Sequence, residues 1–215
     1  MPSSSSGMPP GTLRPDDGRL LRGRRSRLRI REAARALFRE RGFDATTLRA
    51  IAARAGMGAS SIYRHIRSKE ELLVEELAEL QERAWIRFRA SGIQSLTARE
   101  RVRKFLDMEH ELMVGDPDLT TIALRATTHP EHRASRRVLA LQDRTIGLVT
   151  EILQAARTRG ELGHEVDPLV AARTITHITS GARIAWANGL LSADACRAAI
   201  DSGVDLLFRG LERPG

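Results

Sequence analysis

Residues 46–73 read TTLRAIAARAGMGASSIYRHIRSKEELL, and the placement of small and apolar residues within them decides the fold of the N-terminal part. Leu48, Ile51, Ala52 and Ala55 fall at i, i+3, i+4 and i+7, one face of a short helix that Thr47 caps and Gly56 closes. Gly56-Met57-Gly58 cannot continue as a stable helix. Ala59 to Ile66 restarts one, with Ile62 and Ile66 facing inward. Two short helices that cross steeply need a small residue where the second packs on the first, and a glycine with positive φ in the turn. Ala52 and Gly56 supply these, Met57 plugs the space beneath the turn, and Ile51, Ala55 and Ile62 complete a small core. The spacing predicts a helix-turn-helix over 47–66.

Working outward, Ile30, Ala33, Ala34, Leu37 and Phe38 make the stripe of an amphipathic helix from Arg27 to Arg41, stopped by Gly42. Upstream, residues 1–26 hold five Ser, four Pro and four Gly, a composition that predicts an unstructured leader over 1–24. It ends in Arg22, Arg24, Arg25 and Arg27, either a phosphate-seeking arm or a solvated charge run. Downstream, Ser-Lys-Glu-Glu at 68–71 is a capping box opening a long helix to about Ala90. Thr97 with Glu100 opens another to about Val114, and Asp116-Pro117 a helix of about ten residues. His129-Pro130 starts a long segment ending at Gly160, Asp167-Pro168 one ending at Asn188-Gly189, and Ser192 the last, ending near Gly210. The pattern contains no alternating strand. The expected fold class is all-α, with about nine helices.

The charge is asymmetric. Residues 1–70 carry 16 Lys and Arg against 6 Asp and Glu, and residues 71–215 carry 19 against 21. A basic N-terminal third on a near-neutral remainder implies one part that meets a polyanion and another with a different task. With 41% hydrophobic and 29% charged residues, the composition is that of an ordinary globular protein. No stretch approaches the length of an apolar membrane span, and no apolar run precedes a cleavage site, so a cytoplasmic location is expected. A single cysteine, Cys196, excludes an internal disulfide and multi-thiolate metal sites.

From Arg27 to about Ala84 the chain resembles the DNA-binding domain of the tetracycline-repressor (TetR) family of bacterial regulators, most specifically in Ile-Tyr-Arg-His-Ile followed by Ser-Lys-Glu-Glu-Leu. The resemblance implies a DNA-binding domain over 25–85 and a helical effector-binding and dimerisation domain over 86–215. The third helix would enter the major groove, where base edges are distinguishable. Ala59, Ser60 and Ser61 at its start are small enough for close approach. Arg64 would read guanine or contact a phosphate, and Arg49 is the other candidate reader. Tyr63, His65 and Lys69 resemble the family's phosphate contacts, with Thr47 capping the second helix beside them. Arg24, Arg25 and Arg27 form the candidate basic arm.

The implied function is a transcriptional regulator, a repressor in the first instance, which binds a palindromic operator of double-stranded DNA as a homodimer and is released by a small apolar effector. Trp85, Phe88, Phe105, Met108, Leu112, Leu148, His177 and Trp186 lie on the helices that would surround the effector, with His177 and Arg183 as polar members able to orient it. Met113, Leu124 and Ile152 lie on the same helices. Cys196, Ala199, Ile200, Gly203, Val204 and Leu207 stripe the last helix, and the small pair Ala199 and Gly203 would let another helix approach closely. The helix before it is apolar on more than one face, which suits a four-helix interface between two subunits. Asp107 with His110, Glu161 with His164, and His129 with His132 have metal-ligand spacings, but matched glutamates on two further helices are missing. No catalytic motif, cofactor or metal is expected. The alternatives are a ligand-independent architectural DNA-binding protein and, ranked below it, a helical-bundle metalloenzyme.

Overall fold

The computed structural model describes residues 15–128 and 132–211. Its helices are α1 (Pro15–Arg41), α2 (Leu48–Arg54), α3 (Ala59–Ile62), α4 (Lys69–Ala90), α5 (Ala98–Val114), α6 (Pro117–Thr128), α7 (His132–Thr158), α8 (Pro168–Ala187) and α9 (Ala193–Leu211). The all-α class holds, and no β-strand occurs among the described residues. One expectation fails at the N-terminus. Residues 15–26 are the first turns of α1, because Pro-Asp-Asp at 15–17 is a helix-start signal that outweighs the glycines after it. The rest of the expected leader, 1–14, lies outside the described residues.

The chain divides into two compact units at Ile66–Arg67. In the first, α2 packs on α1 and α3 on α2. Their core is Ile30, Ala34, Leu37, Phe38, Ile51, Ala52, Ile62 and Ile66, all buried. Thr46 is buried too, and its hydroxyl donates to the Gly42 carbonyl at 2.7 Å, tying the α1–α2 turn to the end of α1. Arg54 forks onto Glu40 at 2.6 and 2.8 Å, joining α2 to α1 at the surface and holding the Glu40 carboxyl below its ordinary value.

The second unit is built on α4, which packs against α5, α6 and α7. The division between compact units thus lies before residue 85, where the DNA-binding domain is expected to end. Leu73, Leu77, Leu80, Ala84 and Phe88 of α4 need cover that these helices supply. α8 packs on α7 and α6, and α9 on α8 and α5. The cap at the start of α4 differs from the reciprocal box expected. Ser68 Oγ accepts from the Glu71 N–H at 3.3 Å, but the Glu71 carboxylate accepts from Arg67 N–H at 2.6 Å, one residue further out.

Along the α4–α7 contact the ion pairs are Glu75–Arg137, Glu82–Arg144 and Arg89–Glu151, with Arg137 also reaching Glu71. Partner numbers rise together by seven on both helices, so α4 and α7 run parallel in heptad register.

Gly203 sets the α8–α9 distance. A Cβ there would lie 2.5 Å from Ile178 Cγ2, so the small residue expected to admit another helix admits α8 of the same chain. Ile178 is β-branched and has little rotamer freedom in a helix. Gly203→Ala is therefore expected to lower stability by about 1–3 kcal/mol through overpacking, despite the better helix propensity of alanine. Gly147→Ala on α7, where a Cβ meets nothing within 4 Å, is the matched control and should be neutral or stabilising in thermal unfolding.

Candidate functional site

The turn between α2 and α3 is a left-handed helix stop. The Met57 N–H donates to the Ala52 carbonyl at 2.9 Å and the Gly56 N–H to Ala53 at 3.1 Å, with Gly56 at φ 65. This pair satisfies the last carbonyls of α2 and turns the chain sharply. Ala52, fully buried, offers no side chain beyond its methyl, so α3 seats closely over it. The regular part of α3 ends at Ile62, short of the expected Ile66, and tighter three-residue bonds (Arg64 to Ser61, His65 to Ile62) carry the chain onward. Ile62 and Ile66 stay in the core while Tyr63 and Arg64 face solvent, Tyr63 being 57% exposed.

The exposed surface thus comprises Ala59, Ser60, Tyr63 and Arg64, with Ser61 and His65 half-buried. Arg64 Nη2 donates to Ser61 Oγ at 3.0 Å, which aims the guanidinium along α3. Arg49 is exposed on α2. Thr47 Oγ1 accepts from the Ala50 N–H at 3.2 Å and keeps its own proton for another acceptor. Arg27 donates to the His65 carbonyl at 3.0 Å, so it closes the end of the motif as well as carrying charge. Arg24 and Arg25 are exposed on helical α1. Lys69 is the first residue of α4. The described chain therefore presents small and cationic side chains above a core-anchored short helix, the shape and charge that a DNA groove accepts.

In the second unit a cavity of about 100 Å³ lies among α4, α5, α6, α7 and α8. Leu77, Met113, Leu124, Val138, Leu141 and Ile184 form its apolar wall, and Gln81, Glu109, Thr145, Thr176 and Arg183, with Thr127, Gln142 and Ser180, its polar part. Arg183 donates to Glu109 at 2.9 Å, a buried ion pair. A cleft of about 300 Å³ elsewhere is lined by Trp85, Phe88, Arg89, Arg101 and Ile152. Phe105 packs edge-on against Trp85 and Phe88 at 5.5 and 5.7 Å.

The histidine pairs are engaged otherwise. Asp107 accepts from Arg197 at 2.8 Å, while buried His110 sits 5.6 Å from the Trp186 ring, its basicity lowered by desolvation and then by Arg183. Glu161 takes Arg101, Arg159 and the Ala98 N–H. No group of three metal-ligating residues occurs among the described residues, and His129, one member of the third pair, lies outside them. Burial raises the Cys196 thiol above its ordinary value, away from the nucleophilic thiolate.

A family profile for bacterial regulatory proteins of the tetR family matches residues 30–75, and one for the tetracyclin repressor-like C-terminal domain matches residues 95–186. The chain is 30% identical over 213 residues to the HTH-type transcriptional repressor KstR of Rhodococcus jostii, covering 99% of this chain and 97% of that one. The chain belongs to the TetR family. It is a DNA-binding regulator of transcription and, like these relatives, not an enzyme. A second relative, the transcriptional regulator UidR of Escherichia coli, is 27% identical over 159 residues, 73% of this chain and 79% of its own. Among solved structures, the TetR-family repressor FadR of Thermus thermophilus, in complex with lauroyl-CoA, superposes with a TM-score of 0.75 at 23% identity, covering 88% of this chain and 97% of that one.

Within this TetR-family chain the expected effector residues scatter. Trp85 and Phe88 line the larger cleft rather than the five-helix cavity. Phe105 and Trp186 are buried in aromatic contacts, and Met108, Leu112 and Leu148 are half-buried without lining either space. His177 is exposed on α8 and lines neither space, while Thr176 and Arg183 of the same helix are buried. Gln81 and Glu109 were missed. The signal was there: each interrupts an apolar stripe, Gln81 between Leu77 and Ala84, Glu109 between Phe105 and Met113. No helix among the described residues is long and apolar enough to cross a membrane.

Proposed function

We propose that this TetR-family regulator is a repressor which binds a palindromic operator as a homodimer and lets go when a small, largely apolar effector enters the five-helix cavity. The observation that carries the reading is the solvent-facing Ser60–Tyr63–Arg64 surface held over buried Ile62 and Ile66. Dimerisation through α8 and α9 is supported by apolar side chains left in water, Val170 at 57% and Leu206 at 66% exposure. Two-fold symmetry would set two reading heads about one DNA turn apart, roughly 34–36 Å. A lauroyl-CoA complex of the FadR structure and the apolar wall of the cavity support a ligand in the helical unit. Release requires that the ligand favour the DNA-incompetent state, since equal affinity for both shifts nothing.

Sequencing the duplexes selected by the purified protein tests this. Two inverted half-sites about 10 base pairs apart, or a multiple of the helical turn, are expected. Equal affinity for random duplex would replace the reading by an architectural role. Within the selected site, Arg64→Ala should relax preference at one base position by about 1–3 kcal/mol. Lys69→Ala and Tyr63→Phe should weaken all duplexes alike, and Lys69→Ala should reduce the salt slope by about one phosphate. Anisotropy titrations at several salt concentrations separate these outcomes.

A further inference from the structure

We propose that the five-helix cavity takes a compact neutral ligand bearing one hydroxyl, which Gln81 and Arg183 bind together. This rests on the effector reading above and gives that effector its chemistry. Both side chains line the cavity, and both are more than nine-tenths buried, Gln81 2% and Arg183 7% exposed.

Their hydrogen-bonding capacity is only partly used. Thr145 donates its hydroxyl proton to the Leu141 carbonyl at 3.1 Å. Its oxygen is then an acceptor, and the Gln81 amide must turn its NH₂ to it, at 2.5 Å. That fixes the amide orientation and leaves Gln81 Oε1 as a buried acceptor with no protein partner. Arg183 spends Nη2 on Glu109, and its Nε–H is a buried donor with no protein partner. Other buried groups of this kind, such as Thr179 Oγ1, do not line the cavity. Two residues of the cavity wall therefore hold one buried acceptor and one buried donor without a protein partner, beside the less buried Gln142 and Ser180.

Charge narrows the class. The Arg183–Glu109 pair is internally neutralised, so a carboxylate or an ammonium would enter as an uncompensated buried charge. A ketone or ether accepts from Arg183 and leaves Gln81 unsatisfied. A hydroxyl alone donates and accepts at a single atom without charge. Leaving a buried polar group unpaired is costly, which makes the pair a filter against hydrocarbons as well as against ions. Leu77, Met113, Leu124, Val138, Leu141 and Ile184 supply apolar cover for the rest of such a ligand, and the volume, about 100 Å³, is of the order that holds one small ring.

The test uses the full-length protein and four probes that share one cyclohexyl ring: cyclohexanol and methylcyclohexane, which match in size, with methoxycyclohexane and cyclohexanecarboxylate. Calorimetry is expected to find cyclohexanol bound about tenfold tighter than methylcyclohexane, the ether between them and the carboxylate weakest. In Gln81→Met the alcohol should lose its advantage over the hydrocarbon. The ratio in the unaltered protein decides even where that variant fails to fold. Equal affinity for alcohol and hydrocarbon, tightest binding of the carboxylate, or no heat from any probe overturns the proposal. Duplex affinity is read separately. If cyclohexanol binds with the stated preference and duplex affinity does not change, the hydroxyl site stands and release by this cavity falls.

Discussion

Ile62→Ala abolishes duplex binding while the second unit, from Arg67 onward, stays folded. α3 has four residues, and Ile62 is its one buried side chain, with no solvent exposure at all. Removing a fully buried isoleucine costs about 2–5 kcal/mol in lost transfer energy and cavity formation. A one-turn helix has almost no stability of its own against that loss, since helix nucleation is unfavourable and packing supplies the rest. Tyr63 and Arg64 would lose their platform. Amide hydrogen exchange should rise to the unprotected rate across 58–66 and change little in α7 and α8. Retained duplex affinity, or unfolding of both units together, would show that Ile62 does not hold the reading surface.

Arg183→Ala unfolds or severely destabilises the second unit, by about 3–5 kcal/mol, because Glu109, 1% exposed, is left as an uncompensated buried charge. That is a large share of the 5–15 kcal/mol typical of a whole protein. The double replacement Glu109→Leu with Arg183→Met should recover most of the loss, since an apolar pair of similar volume often equals or exceeds a buried ion pair. Chemical denaturation of the three variants checks this. A loss under 1 kcal/mol in the single variant would mean that water reaches Glu109.

Much of the architecture was legible because its punctuation is local. Thr47, Thr97 and Asp167 each accept the backbone N–H that a helix cap should, and Gly42, Gly56, Gly160 and Gly189 stand at positive φ where helices stop. The start of α1 was misread because composition was weighed over the Pro-Asp-Asp signal. The recognition segment was legible as alternating demands, Ile62 and Ile66 inward and the residues between them outward. The cavity was not, because an apolar stripe says that a residue faces in and never which residue it meets. Glu109 and Arg183 lie 74 positions apart, and nothing local joins them. For the same reason His177 was taken for a pocket residue although it is exposed and α8 meets the cavity through Thr176, Ser180, Arg183 and Ile184.

The row of charges between α4 and α7 changes sign along its length: acidic residues of α4 face arginines at Glu75 and Glu82, but Arg89 faces Glu151. Were α4 to slide seven residues along its neighbour one way, Glu82 would confront Glu151; the other way, Arg89 would confront Arg144. Each rung alone is worth little at an exposed surface, yet the sequence of signs works as the cuts of a key. It lets the two rods turn or tilt as a single shaft and forbids them to slip past one another.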